Sequence, residues 1–191
     1  MKNTSLSSRP ESWSAMDTGF GHPTFGGRLG LRPSPPWTLG LSTSVGPYFR
    51  PEALPTLPPG HGLGDYRQIV VGQDIRFEWH HVQLWAEAYE SRFEVPTVGN
   101  ADVFGYYLEA KYKFTARCFG ALRWNQQLFG TVPDGQGGRG AWDRDLWRTD
   151  VALGFRATAH TQFKLQYSFL QESSAPRRSG NVVAVQYTLR F

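Results

Sequence analysis

Several features that would point to common protein classes are scarce or missing in this sequence. The chain of 191 residues has a single cysteine, Cys118, so it can form neither an internal disulfide nor a cysteine metal site. No apolar run approaches the roughly twenty residues that a transmembrane helix needs, and long helix-forming runs are missing as well. The net charge is only +4 and no cluster of lysine and arginine occurs, which argues against nucleic-acid binding.

The amino-terminal segment also lacks a recognisable element. Between Met1 and Met16 there is no apolar core of the kind that a secretory signal contains. Residues 1–23 are rich in serine, glycine and other polar residues, and we expect a flexible remnant there. The pattern that begins at residue 24 continues to residue 191, which predicts one antiparallel sheet domain over that range.

What the sequence does contain is apolar residues at every second position. In the last segment, 181–191, Val183, Val185, Tyr187, Leu189 and Phe191 share one phase, and the other phase is mostly polar. A period of two indicates a β-strand. Similar segments recur along the chain and predict about nine strands, which start near Phe25, Trp37, Arg67, Val82, Phe104, Cys118, Trp147, Gln162 and Asn181.

The connections between these segments alternate in length. Short turns are expected at 33–36, 80–81, 115–117 and 158–160, and longer loops at 50–66, 94–102, 130–145 and 172–180. Aromatic residues of the apolar phase concentrate toward both ends of the strands, as they do where aromatic rings lie at the two interfaces of a membrane. A strand of roughly ten residues is also long enough for a tilted crossing of a bilayer.

The last strand resembles the final strand of bacterial outer-membrane β-barrel proteins of the porin-like kind. Proteins of that class typically end in Phe with apolar and aromatic residues at alternate positions, here Tyr187, Leu189 and Phe191. The resemblance implies an all-β, antiparallel up-and-down transmembrane β-barrel, or its C-terminal part, in the bacterial outer membrane. Its implied partners are outer-membrane lipid and the assembly machinery that reads the last strand.

Two features of the sequence do not fit a complete barrel. Bacterial single-chain barrels use an even number of strands, whereas about nine are expected here. An exported protein also needs a signal peptide. We therefore expect a piece that lacks its amino-terminal part or starts at the wrong Met, with a strongly curved open sheet, or one that closes imperfectly, as the consequence. A small barrel of eight or ten strands is the competing interpretation.

The polar phase supplies the candidate functional residues. Because charged residues at the midplane of a membrane are destabilising, their shared phase marks the face that meets water or other polar groups. Basic residues outnumber acidic ones on this face. The expected lumen-lining residues are Arg28, Arg32, Asp74, Arg76, Glu87, Glu109, Lys111, Arg123, Arg148, Asp150, Arg156 and Lys164.

These residues suggest a porin-like channel for passive diffusion of small polar or anionic solutes, although the same charges could pair across strands and make the wall rigid. Two alternatives stay open: a non-transporting outer-membrane barrel whose surface loops bind a partner, and a soluble carbohydrate-binding β-sandwich. An enzyme is not expected, since His80, His81 and His160 fall in tight turns away from polar-phase Ser and Asp. No cofactor or metal site is predicted, and the oligomeric state is left open.

Overall fold

The computed structural model describes residues 22–173 and 179–190, and within them the chain is an antiparallel β-protein. Nine long strands form one sheet in sequence order, so that every strand pairs with its neighbours along the chain. This confirms the all-β class and the nine predicted segments. The strands are β1 Phe25–Ser34, β2 Trp37–Pro47, β3 Arg67–Trp79, β4 Val82–Val95, β5 Gly99–Lys113, β6 Cys118–Phe129, β9 Leu146–Arg156, β10 Thr161–Glu172 and β11 Ser179–Leu189.

The two longest connections contain short elements of their own. The loop between β6 and β9 holds a small hairpin, β7 Thr131–Pro133 and β8 Arg139–Ala141, and the loop between β2 and β3 holds two 3₁₀ helices, Pro51–Thr56 and Leu63–Asp65. Across residues 22–173 and 179–190, none of the helices has the length and apolar character needed to cross a membrane. We call the end of the sheet with these two connections the long-loop end, and the opposite end the short-turn end.

The prediction of a loop over residues 94–102 is wrong. β4 continues to Val95 and β5 starts at Gly99, so the two strands form a hairpin that projects beyond their neighbours. Its turn uses two residues with positive φ, Thr97 at 62° and Gly99 at 97°, and glycine tolerates that conformation without strain. The strict alternation of short and long connections therefore fails at this hairpin.

The expected turn at 33–36 is shorter than predicted. β1 extends to Ser34, and its pairing with β2 shifts register between Leu31 and Ser34. Pro33 lies in this interval, and a proline has no N–H with which to continue the ladder. Pro35 and Pro36 alone connect the two strands.

The sheet is open within the described residues. β1 and β11 each have one neighbour, and no ladder joins them in the described part of the chain. Because nine antiparallel strands alternate in direction, β1 and β11 run the same way. Direct pairing between them would consequently be parallel.

The two faces of the sheet differ in an unusual way. The apolar face carries large side chains that are about half exposed, such as Leu108 at 53%, Leu165 at 52% and Tyr187 at 56%. The opposite, polar face contains the two buried polar residues of the described chain, Asp150 at 6% and Ser168 at 9%. Soluble proteins bury their apolar face. In this sheet polar groups are buried and the apolar face is exposed.

The exposed apolar band crosses the strands obliquely. Residues that face one another in successive strands form a ladder row across the sheet. In β1 the apolar residues lie on both sides of position 28, and the ladder row of Arg28 passes through Gly105 of β5. In β11 the apolar residues lie on both sides of position 186, and the ladder row of Gln186 passes through Lys113 of β5. The band thus moves about eight residues along the strands over eight inter-strand steps, which at about 3.3 Å per residue and 4.8 Å per step corresponds to a strand tilt of roughly 35°.

Candidate functional site

The polar face is organised around the carboxylate of Asp150 in β9. Arg148 donates to Asp150 Oδ2 from Nε at 3.1 Å, and Asn125 donates to the same oxygen from Nδ2 at 3.0 Å. Gln166 donates to Oδ1 at 3.4 Å and also to the hydroxyl of Ser168 at 3.1 Å. A single buried carboxylate therefore connects β6, β9 and β10 on this face.

Replacing Asp150 with Ala is expected to lower the free energy of unfolding by about 2 kcal/mol, because Arg148 and two amides lose their common acceptor. The loss is below that of a fully buried pair since the Arg148 side chain is 45% exposed. Urea titration followed by tryptophan fluorescence measures it. Asp143→Ala in the exposed loop is the control, and an equal loss in both variants would refute the role of Asp150.

Two further ion pairs connect strands on the polar face, one between neighbouring strands and one across an intervening strand. Arg123 Nε donates to Glu109 Oε2 at 2.6 Å from the facing position of β6, and its guanidinium carbon lies 4.6 Å from the Tyr107 ring centroid. Arg28 and Asp74 pair at 2.6 Å although β2 separates their strands. A Cβ on Gly40, which lies between them, would collide with both side chains, so the absence of a side chain there makes room for the pair.

The remaining polar-face carboxylates of β3 and β4 are also partnered. Glu78 accepts hydrogen bonds from Arg76 at 2.5 Å and from Gln83 at 2.6 Å. The Glu87 carboxylate accepts a hydrogen bond from the hydroxyl of Tyr89. Every acidic residue expected on the polar face therefore has a partner.

Four basic residues of the polar face have no ion-pair partner in the described part of the chain: Lys111, Arg156 and Lys164, which were expected there, and also Lys113 of β5. All four lie on the polar face near the short-turn end. Arg32 is separate from them, because it lies where β1 loses its register and donates from Nη2 to the carbonyl oxygen of Pro35 at 3.1 Å. The structure thus divides the predicted wall into paired charges in the middle and unpaired cations at one end.

The long-loop end carries an aromatic cluster that sequence reasoning missed. Trp142 packs on Phe129 with ring centroids 5.1 Å apart and on Phe93 at 6.1 Å, and Phe93 contacts Tyr48 at 5.2 Å. Trp142 Nε1 donates to the carbonyl oxygen of Asp102 at 2.8 Å, which ties the loop to β5. An isolated tryptophan within a glycine-rich loop was the available signal.

Tyr48 occupies the edge of this cluster, beyond the end of β2. Its hydroxyl donates to the carbonyl oxygen of Glu94 at 2.9 Å. Burial, followed by the nearby negative charge of Glu94, raises the pKa of Tyr48 to about 12, so the hydroxyl remains protonated and available as a donor at neutral pH.

The aromatic residues of the apolar face form pairs near both ends of the strands. Trp124 stacks on Trp147 with centroids 4.9 Å apart toward the long-loop end, and Trp147 also contacts Phe169 at 5.3 Å. Toward the short-turn end, Trp37 contacts Phe77 at 4.7 Å. Two groups of rings thus border the aliphatic part of this face.

The predicted assembly signal lies only partly within the described residues. Tyr187 and Leu189 lie in β11, where Tyr187 pairs with Phe163 across a centroid distance of 5.0 Å and Leu189 faces Thr161 in the ladder. Phe191 is outside the described residues.

Neither metal chemistry nor sequence comparison narrows the function further. The described residues contain no group of three or more His, Cys, Asp or Glu side chains that could hold a metal ion. No protein-family model matches the chain, and a search of the curated proteins also finds no match.

Proposed function

We propose that this chain forms wall strands of a porin-like channel in a bacterial outer membrane, through which small polar or anionic solutes diffuse passively. The observation that carries the proposal is the inverted arrangement of the sheet, in which Leu108 and Leu165 are exposed while Asp150 is buried. An apolar surface of this extent is unfavourable in water and favourable against lipid chains. Toward the polar side, the same sheet presents hydrogen-bonded charges that suit an aqueous lumen.

The oblique apolar band gives independent support. A membrane-spanning band must lie parallel to the bilayer plane, whereas the strands of a barrel are tilted by about 35–45° from the barrel axis. The tilt of roughly 35° that follows from the ladder rows falls at the lower limit of this range. A strand edge in lipid leaves backbone groups unsatisfied at several kcal/mol each, so in the membrane β1 and β11 must be paired, either with each other or with further strands.

Conductance in planar lipid bilayers tests this proposal. The refolded protein is expected to produce discrete current steps proportional to voltage, because the wall offers a continuous polar surface. The matched control is the Leu165→Arg variant, which should not insert and should give no steps. Complete insertion of the wild type, shown by vesicle flotation, without any current would contradict the channel.

A second candidate, a non-transporting barrel with a binding surface, is favoured by the cluster of Tyr48, Phe93, Phe129 and Trp142. These rings lie on the polar-face side of the long-loop end, where they would narrow an entrance. If the cluster closes the lumen, the wild type should insert without producing current, and the Trp142→Ala variant should produce current. If the wild type already conducts, the cluster sets the width of the entrance and the channel proposal holds.

A further inference from the structure

We infer that Lys111, Lys113, Arg156 and Lys164 form a binding site for small oxyanions, such as inorganic phosphate, at the short-turn end of the polar face. This inference rests on the proposed channel, since it assigns the part of the wall that selects its solutes. The inference depends on where paired and unpaired cations lie on the polar face, which the composition of the chain does not reveal. The cations in the middle of the wall are paired, whereas these four are not.

The four residues come together from three strands. Lys111 and Lys113 are consecutive polar-face positions of β5, and the ladder row of Lys113 runs through Phe119 and Gly154 to Lys164 of β10. Arg156 of β9 lies one polar-face position beyond Gly154. Lys111 interacts electrostatically with each of the other three, so the four charges share one local field.

The nearby carboxylates do not neutralise this field. Glu109 interacts with Lys111, and Glu78 with Lys113, but only at a distance. Glu109 is already paired with Arg123, and Glu78 with Arg76. Excess positive charge on a partly desolvated surface attracts counter-ions of the opposite sign and raises their local concentration.

Phe119 provides the floor between the cations. Its ring is only 7% exposed and folds over the position of Gly154, where a Cβ would collide with it. The Lys111 Nζ atom lies 4.2 Å from the centroid of this ring, a cation–π contact that fixes one ammonium in place. Lys113 and Lys164 lie on either side of Phe119 and Gly154 in the same ladder row, and neither of these two residues has a side-chain acceptor that could neutralise a lysine.

The test compares the Lys113→Gln/Lys164→Gln double variant with Arg67→Gln/Arg139→Gln, which removes the same charge at the long-loop end. Titration calorimetry in zwitterionic micelles measures the dissociation constant for inorganic phosphate. Loss of two nearby charges should raise that constant about tenfold, and the control should leave it unchanged. Lys113→Arg/Lys164→Arg, which retains both charges, should bind as the wild type does.

Equal phosphate binding by the wild type and the Gln double variant would overturn the site, as would an equal loss in the control. Reversal potentials in a KCl gradient provide the second readout, because the Gln double variant should lose anion preference relative to the wild type. Phosphate binding in micelles without any bilayer current would refute the channel but leave the site standing. Current with an unchanged reversal potential in the Gln double variant would refute the site but leave the channel standing.

Discussion

Leu165→Arg is expected to abolish insertion into phosphatidylcholine vesicles, with a loss of about 2–4 kcal/mol in the free energy of folding into the bilayer. Leu165 lies in β10 on the exposed apolar face, between Leu153 and Val185 in neighbouring strands. An arginine there would place its guanidinium among lipid chains. Flotation of vesicles after refolding measures the inserted fraction of each protein.

The control uses the next residue of the same strand. Gln166 points to the polar face beside Asp150, so Gln166→Arg adds the same side chain where a carboxylate and water can receive it. This variant should insert as the wild type does. Equal insertion of the two variants would show that the faces of β10 do not have the environments proposed for them.

Gly154→Val is expected to lower the free energy of unfolding by about 3 kcal/mol, since a side chain at residue 154 would overlap the ring of Phe119. Both residues lie on the polar face in facing positions of β9 and β6. The ring cannot move aside freely because Lys111 covers it at 4.2 Å. Urea titration in micelles gives the loss, and Gly27→Val, in open space on β1, should change stability little.

A double variant separates steric overlap from the general intolerance of strands to sequence change. Phe119→Ala removes the ring and should therefore recover much of the stability that Gly154→Val loses. The coupling energy between the two changes should have a magnitude of at least about 1 kcal/mol. Additive losses would mean that the contact between Phe119 and Gly154 does not determine the effect.

The side chains that share a face of each strand could be predicted from sequence, because alternation with a period of two is visible within a single segment. Val183, Val185 and Tyr187 show it within one segment, and the ladder of β11 with β10 preserves it. The interval 94–102 shows where local signals fail. Glu94 and Asn100 are polar and appear loop-like in sequence, yet they pair with each other, because a turn with positive φ at Thr97 and Gly99 allows the hairpin to continue.

The sequence predicts which residues lie on the polar face, but it does not predict which of them form ion pairs with one another. Lys111 and Arg123 are both basic residues of the polar phase, and only the register shows that Arg123 faces Glu109 while Lys111 faces Gln83 and Ala121. The Arg28–Asp74 pair also depends on the missing side chain of Gly40. These contacts are set by neighbouring strands, so no pattern within a single segment contains them.

Site-directed spin labelling of β10 tests the central claim most directly. Single cysteines at residues 163–169, in a Cys118→Ser background and reconstituted in vesicles, carry a nitroxide whose collisions with oxygen and with a water-soluble nickel chelate are measured. Labels at Phe163, Leu165, Tyr167 and Phe169 should be reached mainly by oxygen, and labels at Lys164, Gln166 and Ser168 should not. Labels on both faces with the same accessibility, or apolar-face labels shielded from both reagents, would contradict a sheet with lipid on one side and a polar lumen on the other.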